Sequence, residues 1–432
     1  MARRIQEVLL IETRHRPGSL AAALQVLAHH GINLEHLHAL SRERGWTRWE
    51  LTVEVTPAML EGALKALDGL ADARYVGRSD RVFQRHRGGK IAVRPTLAIS
   101  TQQILRDVYT PGVAVVSTAI AEQPELARDY TIKGQSVAVI SNGTAVLGLG
   151  AVGPLASLPV IEGKAALLAS LVDVVAMPLA VEGRDVDALV AAIAAFEPSF
   201  GAILLEDFSA PDCFELESRL RARLPIPVMH DDQHGTAVVV LATLLRICRR
   251  YGRELHSLTV GQVGLGAAGL GICSLLARYG CRSLRGTDIK PEALERLRAI
   301  GGTPDTLEGV MQRCDAVVLT SGVPGLVEPA MIRPGQIVLS LSNPDPEIDP
   351  IAAQDAGAAF AADGKIINNV LGFPGIFRGA LDARASAITD AMLFAAAEAL
   401  ADLAPEDDVA PNPLDREVHA AVAARVRAAA GT

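Results

Sequence analysis

Residues 201–236, GAILLEDFSAPDCFELESRLRARLPIPVMHDDQHGT, decide how this chain folds and where its chemistry sits. Two short apolar runs, 201–205 and 225–229, read as buried strands, and the stretch between them, 212–224, has helical spacing. Such a βαβ unit makes the strands parallel and puts their C-terminal ends on one rim, where open α/β sheets keep their ligands. Each run ends in a pair of acids, Glu206-Asp207 and Asp231-Asp232. One pair alone would read as loop-entry or helix-capping residues. Two pairs in consecutive turns bring carboxylates together at one mouth, where mutual repulsion and desolvation call for a cation. All-oxygen ligands point to Mg²⁺ or Mn²⁺ rather than zinc.

With 432 residues, 50% of them hydrophobic and 21% charged, the chain has room for about two or three domains. A net charge of −8 argues against nucleic acid as a partner. The cysteines, Cys213, Cys248, Cys273, Cys281 and Cys314, show no CxxC spacing, as suits reduced thiols in a cytoplasm. No uninterrupted apolar h-region precedes Glu12, so no signal peptide is read. The most apolar stretch, 165–181, is interrupted by Asp173 and Pro178 and is too short to span a bilayer. The expectation is a cytoplasmic protein with no membrane partner.

Residues 1–80 read as a separate unit. An apolar strand at 8–11 leads through Arg14-His-Arg-Pro-Gly-Ser19 into a helix at 19–30, capped by Ser19 and stopped by Gly31. At 47–55, Trp49, Leu51, Val53 and Val55 alternate with Arg48, Glu50, Thr52 and Glu54, the period of a strand with one buried face. Pro57 opens a second helix, and Tyr75-Val76 begins a last strand, completing a βαββαβ pattern. With Arg16-Pro17-Gly18-Ser19-Leu20 and Gly31-Ile32-Asn33-Leu34, the unit resembles the ACT domain, a regulatory module that often binds amino acids and pairs side by side. That resemblance implies an amino-acid effector; the alternative is a dimerisation or capping domain without a ligand. Residues 81–94 read as a linker, since seven Arg or Lys residues between Arg74 and Arg94 surround Gly88-Gly89, the composition of a solvated connector.

Beyond it stand Asp107-Val-Tyr-Thr-Pro-Gly-Val-Ala114, Ile140-Ser-Asn-Gly-Thr-Ala-Val-Leu-Gly-Leu-Gly150 and Val160-Ile-Glu-Gly-Lys-Ala165. With the two acidic clusters, these segments resemble the short bacterial form of malic enzyme over about residues 95–432. The resemblance implies oxidative decarboxylation of malate to pyruvate and CO₂, with a nicotinamide cofactor and a divalent metal, in a homodimer or higher homo-oligomer. It implies an α/β fold: an N-terminal catalytic domain at 95–236 and a Rossmann-type NAD(P)-binding domain with C-terminal helices at 237–432.

A 2-hydroxy acid loses hydride from C2 only as its hydroxyl proton leaves. The resulting keto acid loses CO₂ to an enolate, which needs a cation at its oxygen and an acid at its carbon. By resemblance Lys164 is the base, Tyr109 the acid, Glu206, Asp207 and Asp232 hold the metal, and Asp231 orients Lys164. A lysine near cations and partly desolvated has its pKa lowered toward neutrality. The sequence departs from the family where Val115-Val116-Ser117 replaces an acidic continuation and Phe208 stands in for a common Ile.

A strand at 258–263 leads into Gly264-Leu265-Gly266-Ala267-Ala268-Gly269, which opens a helix, the context in which glycines admit a pyrophosphate. Asp288 ends the next strand, where an acid takes the adenosine ribose hydroxyls, so NAD is expected. Lys290 keeps NADP as the alternative. By resemblance Asn343, in Ser342-Asn343-Pro344, and Asn369 contact malate or the nicotinamide, with Asn368 able to replace its neighbour. Two other readings stand beside this one: a metal-free 2-hydroxyacid dehydrogenase using His230 or His234, and a catalytically inactive nucleotide-sensing protein on the same fold.

Overall fold

The structure, a computed structural model, describes residues 5–431 apart from Leu147 and Pro344. The chain divides into two compact units, the first ending at Lys90 and the second beginning at Ile91.

In the first unit an antiparallel sheet runs in the order Leu34–Glu43, Trp46–Val55, Ile5–Arg14, Ala73–Arg78. Leu9, Ile11, Leu51, Val53 and Val55 pack with Ala23 and Leu27 of the helix Ser19–His29 and Leu60 and Leu67 of Pro57–Asp68. The βαββαβ expectation is met, and the edge strand Leu34–Glu43, which the alternation rule had not located, is largely exposed. Gly18, at φ +88°, takes the N-cap position that Ser19 was expected to fill, and Ser19 lies buried inside the first turn.

Glu50 and Thr52, read as outward-facing, are buried. The cause lies in the next segment: Ser79 Oγ donates to Glu50 Oε2 at 2.6 Å, and the Arg81 guanidinium bonds Glu50 and Thr52. Arg81 opens the short helix Arg81–His86, so the stretch read as a linker from residue 81 begins as part of this unit.

The second unit holds two parallel sheets. One runs Val175–Ala180, Ser136–Ser141, Ala202–Leu205, Val228–His230. The other runs Thr303–Pro304, Ser283–Thr287, Thr259–Val263, Ala316–Leu319, Ile337–Ser340, Phe360–Asp363, the strand order of a dinucleotide-binding sheet. Parallel strands covered on both faces need near-continuous apolar runs, and the strands Ala202–Leu205, Ala316–Leu319 and Ile337–Ser340 are buried throughout.

The helix Asp231–Arg250 joins the two sheets and runs unbroken across the boundary expected at 236/237. It buries Val238, Leu241, Leu244 and Ile247, each worth roughly 1.5–3 kcal/mol, in a cluster that also draws on both sheets. The C-terminal helix Asp390–Leu403 packs along it, and Arg416–Ala429 packs on Phe373–Asp382. Among the described residues one helix, Pro154–Val172, is long and apolar enough to cross a membrane; it packs on the first parallel sheet and carries a buried lysine.

Candidate active site

The strands Ala202–Leu205 and Val228–His230 lie parallel with Leu205 opposite His230. Glu206 and Asp231, the next residues of each, therefore leave the sheet side by side. The carboxylates of Glu206, Asp207 and Asp232 each place one oxygen within 4.8 Å of the others, a spacing a single cation can bridge. Asp207 reaches this position with φ +58°, a left-handed conformation that aspartate tolerates better than most residues. Its backbone N–H donates to Asp232 Oδ2 at 3.0 Å. Glu206 Oε2 is buried without a hydrogen-bond partner among the described residues, an arrangement that costs stability unless a positive group answers it. Burial, with Asp232, Asp231 and Asp207 nearby, pushes Glu206 well above the usual carboxylate range, with Lys164 opposing. This donor set fits an oxygen-bound Mg²⁺ or Mn²⁺.

Lys164 comes from the helix Pro154–Val172 and is 8% exposed. Its ammonium donates to Asp231 Oδ2, lies 3.2 Å from Glu206 Oε1 and sits 4.5 Å from the centre of the Phe373 ring. Burial lowers its pKa, but the charges of Asp231 and Glu206 outweigh that and hold it above the ordinary lysine value. Asp231, fully buried, is raised by desolvation against the pull of Lys164. Glu206, Asp207 and Asp232 thus face one another, while Lys164 contacts both Asp231 and Glu206.

Two supports were not found in the sequence. Glu217, buried on the helix Asp212–Arg223, accepts from His230 N at 3.1 Å, from Gln233 Nε2 at 2.9 Å and bonds His234 Nε2 at 3.0 Å. It clamps the start of the Asp231–Arg250 helix and so orients Asp231 and Asp232. Burial acts to raise its pKa, and His234 and His230 bring it below the usual value. His234 is thereby engaged with Glu217, while His230 is buried with Nε2 3.6 Å from Asp232 Oδ2. Phe373, four residues beyond Asn369, is the ring against Lys164. Helical spacing on the 212–224 segment was the one signal for Glu217; nothing in the sequence singled out Phe373.

Tyr109 is not drawn into this cluster. It caps the helix Gln102–Val108 and is 68% exposed, and its hydroxyl makes no hydrogen bond among the described residues. Asn369 is half-buried at the start of a short turn, Asn369–Leu371, that packs on the Asp231–Arg250 helix. The Asn368 side chain accepts from Val370 N at 3.0 Å and caps this turn. Asn343 follows the strand Ile337–Ser340 at the cofactor sheet; Pro344 of its motif and Leu147 of the glycine loop lie outside the described residues.

The helix Ala267–Tyr279 begins after Gly266, and Ala267 and Ala268 form its first turn. A β-carbon at Gly269 would stand 2.0 Å from Gly264 O, so only glycine lets the helix close on its entry loop. A cleft of about 400 Å³ opens there, lined by Gly264, Gly266, Asp288, Lys290, Arg296 and Ser321 among others. Asp288 Oδ2 accepts from Leu265 N at 2.7 Å and Oδ1 from Lys290 N at 2.8 Å, which ties Asp288 to the Gly264–Gly269 loop. Arg296 lies over Phe214 at 5.6 Å.

Comparison with known proteins bears on this geometry. Residues 88–221 match the malic enzyme N-terminal domain, 361–430 the malic enzyme NAD binding domain, and 8–72 the ACT domain. The chain is 45% identical to NAD-dependent malic enzyme 1 of Bacillus subtilis, over 100% of this chain and 99% of that one. A malic enzyme structure from Pyrococcus horikoshii covers 82% of this chain and 90% of its own at 36% identity and a TM-score of 0.78. An NAD-dependent malic enzyme structure from Thermotoga maritima covers 81% and 99% at 34% identity and a TM-score of 0.76.

Proposed function

The chain belongs to the malic enzyme family, and on that premise we propose that it oxidises malate and decarboxylates the product to pyruvate and CO₂ while reducing a nicotinamide cofactor. The observation that carries this reading is the buried Lys164–Asp231 pair set against the Glu206, Asp207 and Asp232 cluster.

Glu206, Asp207 and Asp232 would hold Mg²⁺ or Mn²⁺. When bound, the cation supplies positive charge beside the substrate's C2 oxygen, and the cofactor in the Gly264–Asp288 cleft accepts the hydride. Lys164 takes the C2 hydroxyl proton. Asp231 keeps its ammonium nitrogen aimed and balances the charge it gains. Neutralising the nearby carboxylates removes much of what holds Lys164 protonated, which leaves burial to move it toward a working base. After CO₂ leaves, the Tyr109 hydroxyl protonates C3 of the enolate. Asn343 and Asn369 bind malate or the carboxamide of the nicotinamide.

NAD is the proposed cofactor, with NADP as the alternative, because Asp288 stands at the ribose end of the cleft beside Lys290 and Arg296. The N-terminal unit is proposed to take a carboxylate-bearing amino acid in a cleft of about 330 Å³ lined by Arg14, His15, Arg16, Pro17 and Trp49, where cations dominate. A homo-oligomer in a cytoplasm completes the reading, in keeping with five free, buried cysteines.

The test is purified protein with malate, Mn²⁺ and NAD⁺ or NADP⁺, following reduced cofactor and pyruvate together. Equal production of the two supports the proposal. Cofactor reduction without pyruvate would instead indicate a simple 2-hydroxyacid dehydrogenase, and neither product an inactive sensor.

A further inference from the structure

Glu347 is fully buried, and among the described residues its carboxylate forms no salt bridge. A buried charge without an opposite charge is costly unless hydrogen bonds answer it. Here they do. Ser321 N and Ser321 Oγ donate to Glu347 Oε1 at 2.7 and 2.9 Å, Ser342 Oγ donates to Oε1 at 2.6 Å, and Ser340 Oγ donates to Oε2 at 2.9 Å. Each hydroxyl also accepts from a backbone N–H: Ser321 Oγ from Val323 at 3.1 Å, Ser342 Oγ from Gly322 at 2.9 Å and Ser340 Oγ from Ile348 at 3.2 Å. That leaves each hydroxyl hydrogen for the carboxylate. Both oxygens of Glu347 are thus met by donors, the setting of an ionised carboxylate.

These serines sit at the ends of Ala316–Leu319 and Ile337–Ser340, strands that lie parallel with Leu319 opposite Ser340. Ser321 lines the cofactor cleft. Ser342 precedes Asn343, whose amide lies so close to Gly364 that a β-carbon there would stand 2.5 Å from Asn343 Nδ2. One carboxylate therefore ties both loops together beneath the rim. With Asp288 at the adenosine end, beyond Ser283–Thr287, a dinucleotide laid across the switch point passes Thr259–Val263 and brings its nicotinamide over these two loops. Hydrogen bonds spread the charge of Glu347 without cancelling it, and burial limits its screening by salt. The oxidised nicotinamide ring carries a positive charge, and the reduced ring carries none.

We infer that Glu347 is a positioning residue for the cofactor: it fixes the Ser321 and Ser342-Asn343 loops in one geometry, and its charge makes the cleft hold the oxidised nicotinamide in preference to the reduced one. Binding is thereby biased toward the form of the cofactor that malate oxidation consumes, and release toward the form it produces. The inference rests on the proposed reading of the Gly264–Asp288 cleft as the nicotinamide cofactor site.

Equilibrium binding of NAD⁺ and of NADH to the full chain tests it without turnover. Glu347→Gln keeps the size of the side chain and, with Nε2 turned toward Ser340 Oγ, keeps an acceptor for Ser321 and Ser342, but it loses the charge. In that variant NAD⁺ should bind about tenfold more weakly with NADH little changed, so the ratio of the two dissociation constants moves about tenfold toward NADH. Glu347→Asp keeps the charge on a shorter stem; it should weaken both forms together and leave the ratio at its wild-type value. A ratio unmoved in Glu347→Gln, or moved as far in Glu347→Asp, overturns the inference, because a brace without an electrostatic role affects both forms alike. If the wild type binds neither NAD nor NADP in either form, the cofactor reading itself fails, a separate outcome. Should Glu347→Gln not fold, the wild type decides: NAD⁺ should bind at least as tightly as NADH, and tighter binding of NADH overturns the inference.

Discussion

Gly235 and Asp231 lie one helical turn apart, and a β-carbon on Gly235 would stand 1.9 Å from Asp231 Oδ1. The carboxylate that holds Lys164 thus occupies the space a side chain would fill. Within a helix alanine is favoured over glycine by roughly 0.5–1 kcal/mol, so propensity alone predicts that Gly235→Ala stabilises the protein. The expected outcome is the reverse of that gain in function: kcat falls by about a hundredfold, on the order of 2.7 kcal/mol, as Asp231 is driven off Lys164. Circular dichroism and kinetics on the same sample check it, and an active Gly235→Ala enzyme would show that the pair is not needed.

Removing a ligand should separate cation binding from folding. Wild type should gain thermal stability as Mn²⁺ is added, by up to about 2.7 kcal/mol at a hundredfold excess over Kd. Asp232→Ala should fold, bind cofactor and show no such gain, because Glu206 and Asp207 alone leave the cation too few fixed oxygens. A Mn²⁺-dependent shift of undiminished size in that variant would place the cation elsewhere.

Cofactor choice should be set by charge around the ribose. Asp288 accepts hydrogen bonds from a diol and repels a 2′-phosphate, so Asp288→Ala should move the ratio of kcat/KM toward NADP⁺ by about tenfold, the scale of 1.4 kcal/mol. Its two backbone hydrogen bonds also brace the phosphate loop, so KM should rise for both cofactors. Arg296→Leu should weaken NADP⁺ more than NAD⁺ by a similar factor. A ratio unmoved by both substitutions would mean that neither side chain faces the ribose.

In the N-terminal unit Glu12 is held by Arg74 and Arg48, whose hydrogen bonds lower its pKa from 4.5 against the opposing effect of burial. A carboxylate with a depressed folded pKa adds stability that is complete above its unfolded value. That stability is lost as pH falls below about 4.5 and through the folded value. Glu12→Gln should therefore lower stability at pH 7 and flatten the acid limb of its pH dependence. A parallel displacement of the whole curve would contradict the linkage.

Because the first unit has its own core and ends at Lys90, a chain beginning at residue 91 should fold and turn over malate. If the cleft beside Arg14 and Arg16 takes an amino acid, the full-length enzyme should respond to it and the shortened one should not. An effector response that survives truncation would move the regulatory site into the second unit.

Much of this was written locally. Strand, helix and strand across 201–236 set the parallel pairing of Ala202–Leu205 with Val228–His230, and an acid that follows each strand must then emerge at one rim. The Gly264–Gly269 turn followed from the same kind of short-range pattern. Such features are legible because side-chain period and chain direction depend on neighbours a few residues away. Glu217, Phe373 and Gly235 were not legible, since each acts by occupying space beside a residue brought to it by the sheet or by a helical turn. The burial of Glu50 was hidden for the same reason, because Ser79 and Arg81 return over a face the alternation left open. The sequence alone thus determined which chemical groups the protein has and which rim they leave from. Only the tertiary structure decided that Lys164 touches Glu206 as well as Asp231, that Glu217 and Phe373 back the cluster, and that Tyr109 stands exposed, because those depend on contacts between distant segments that no local period encodes.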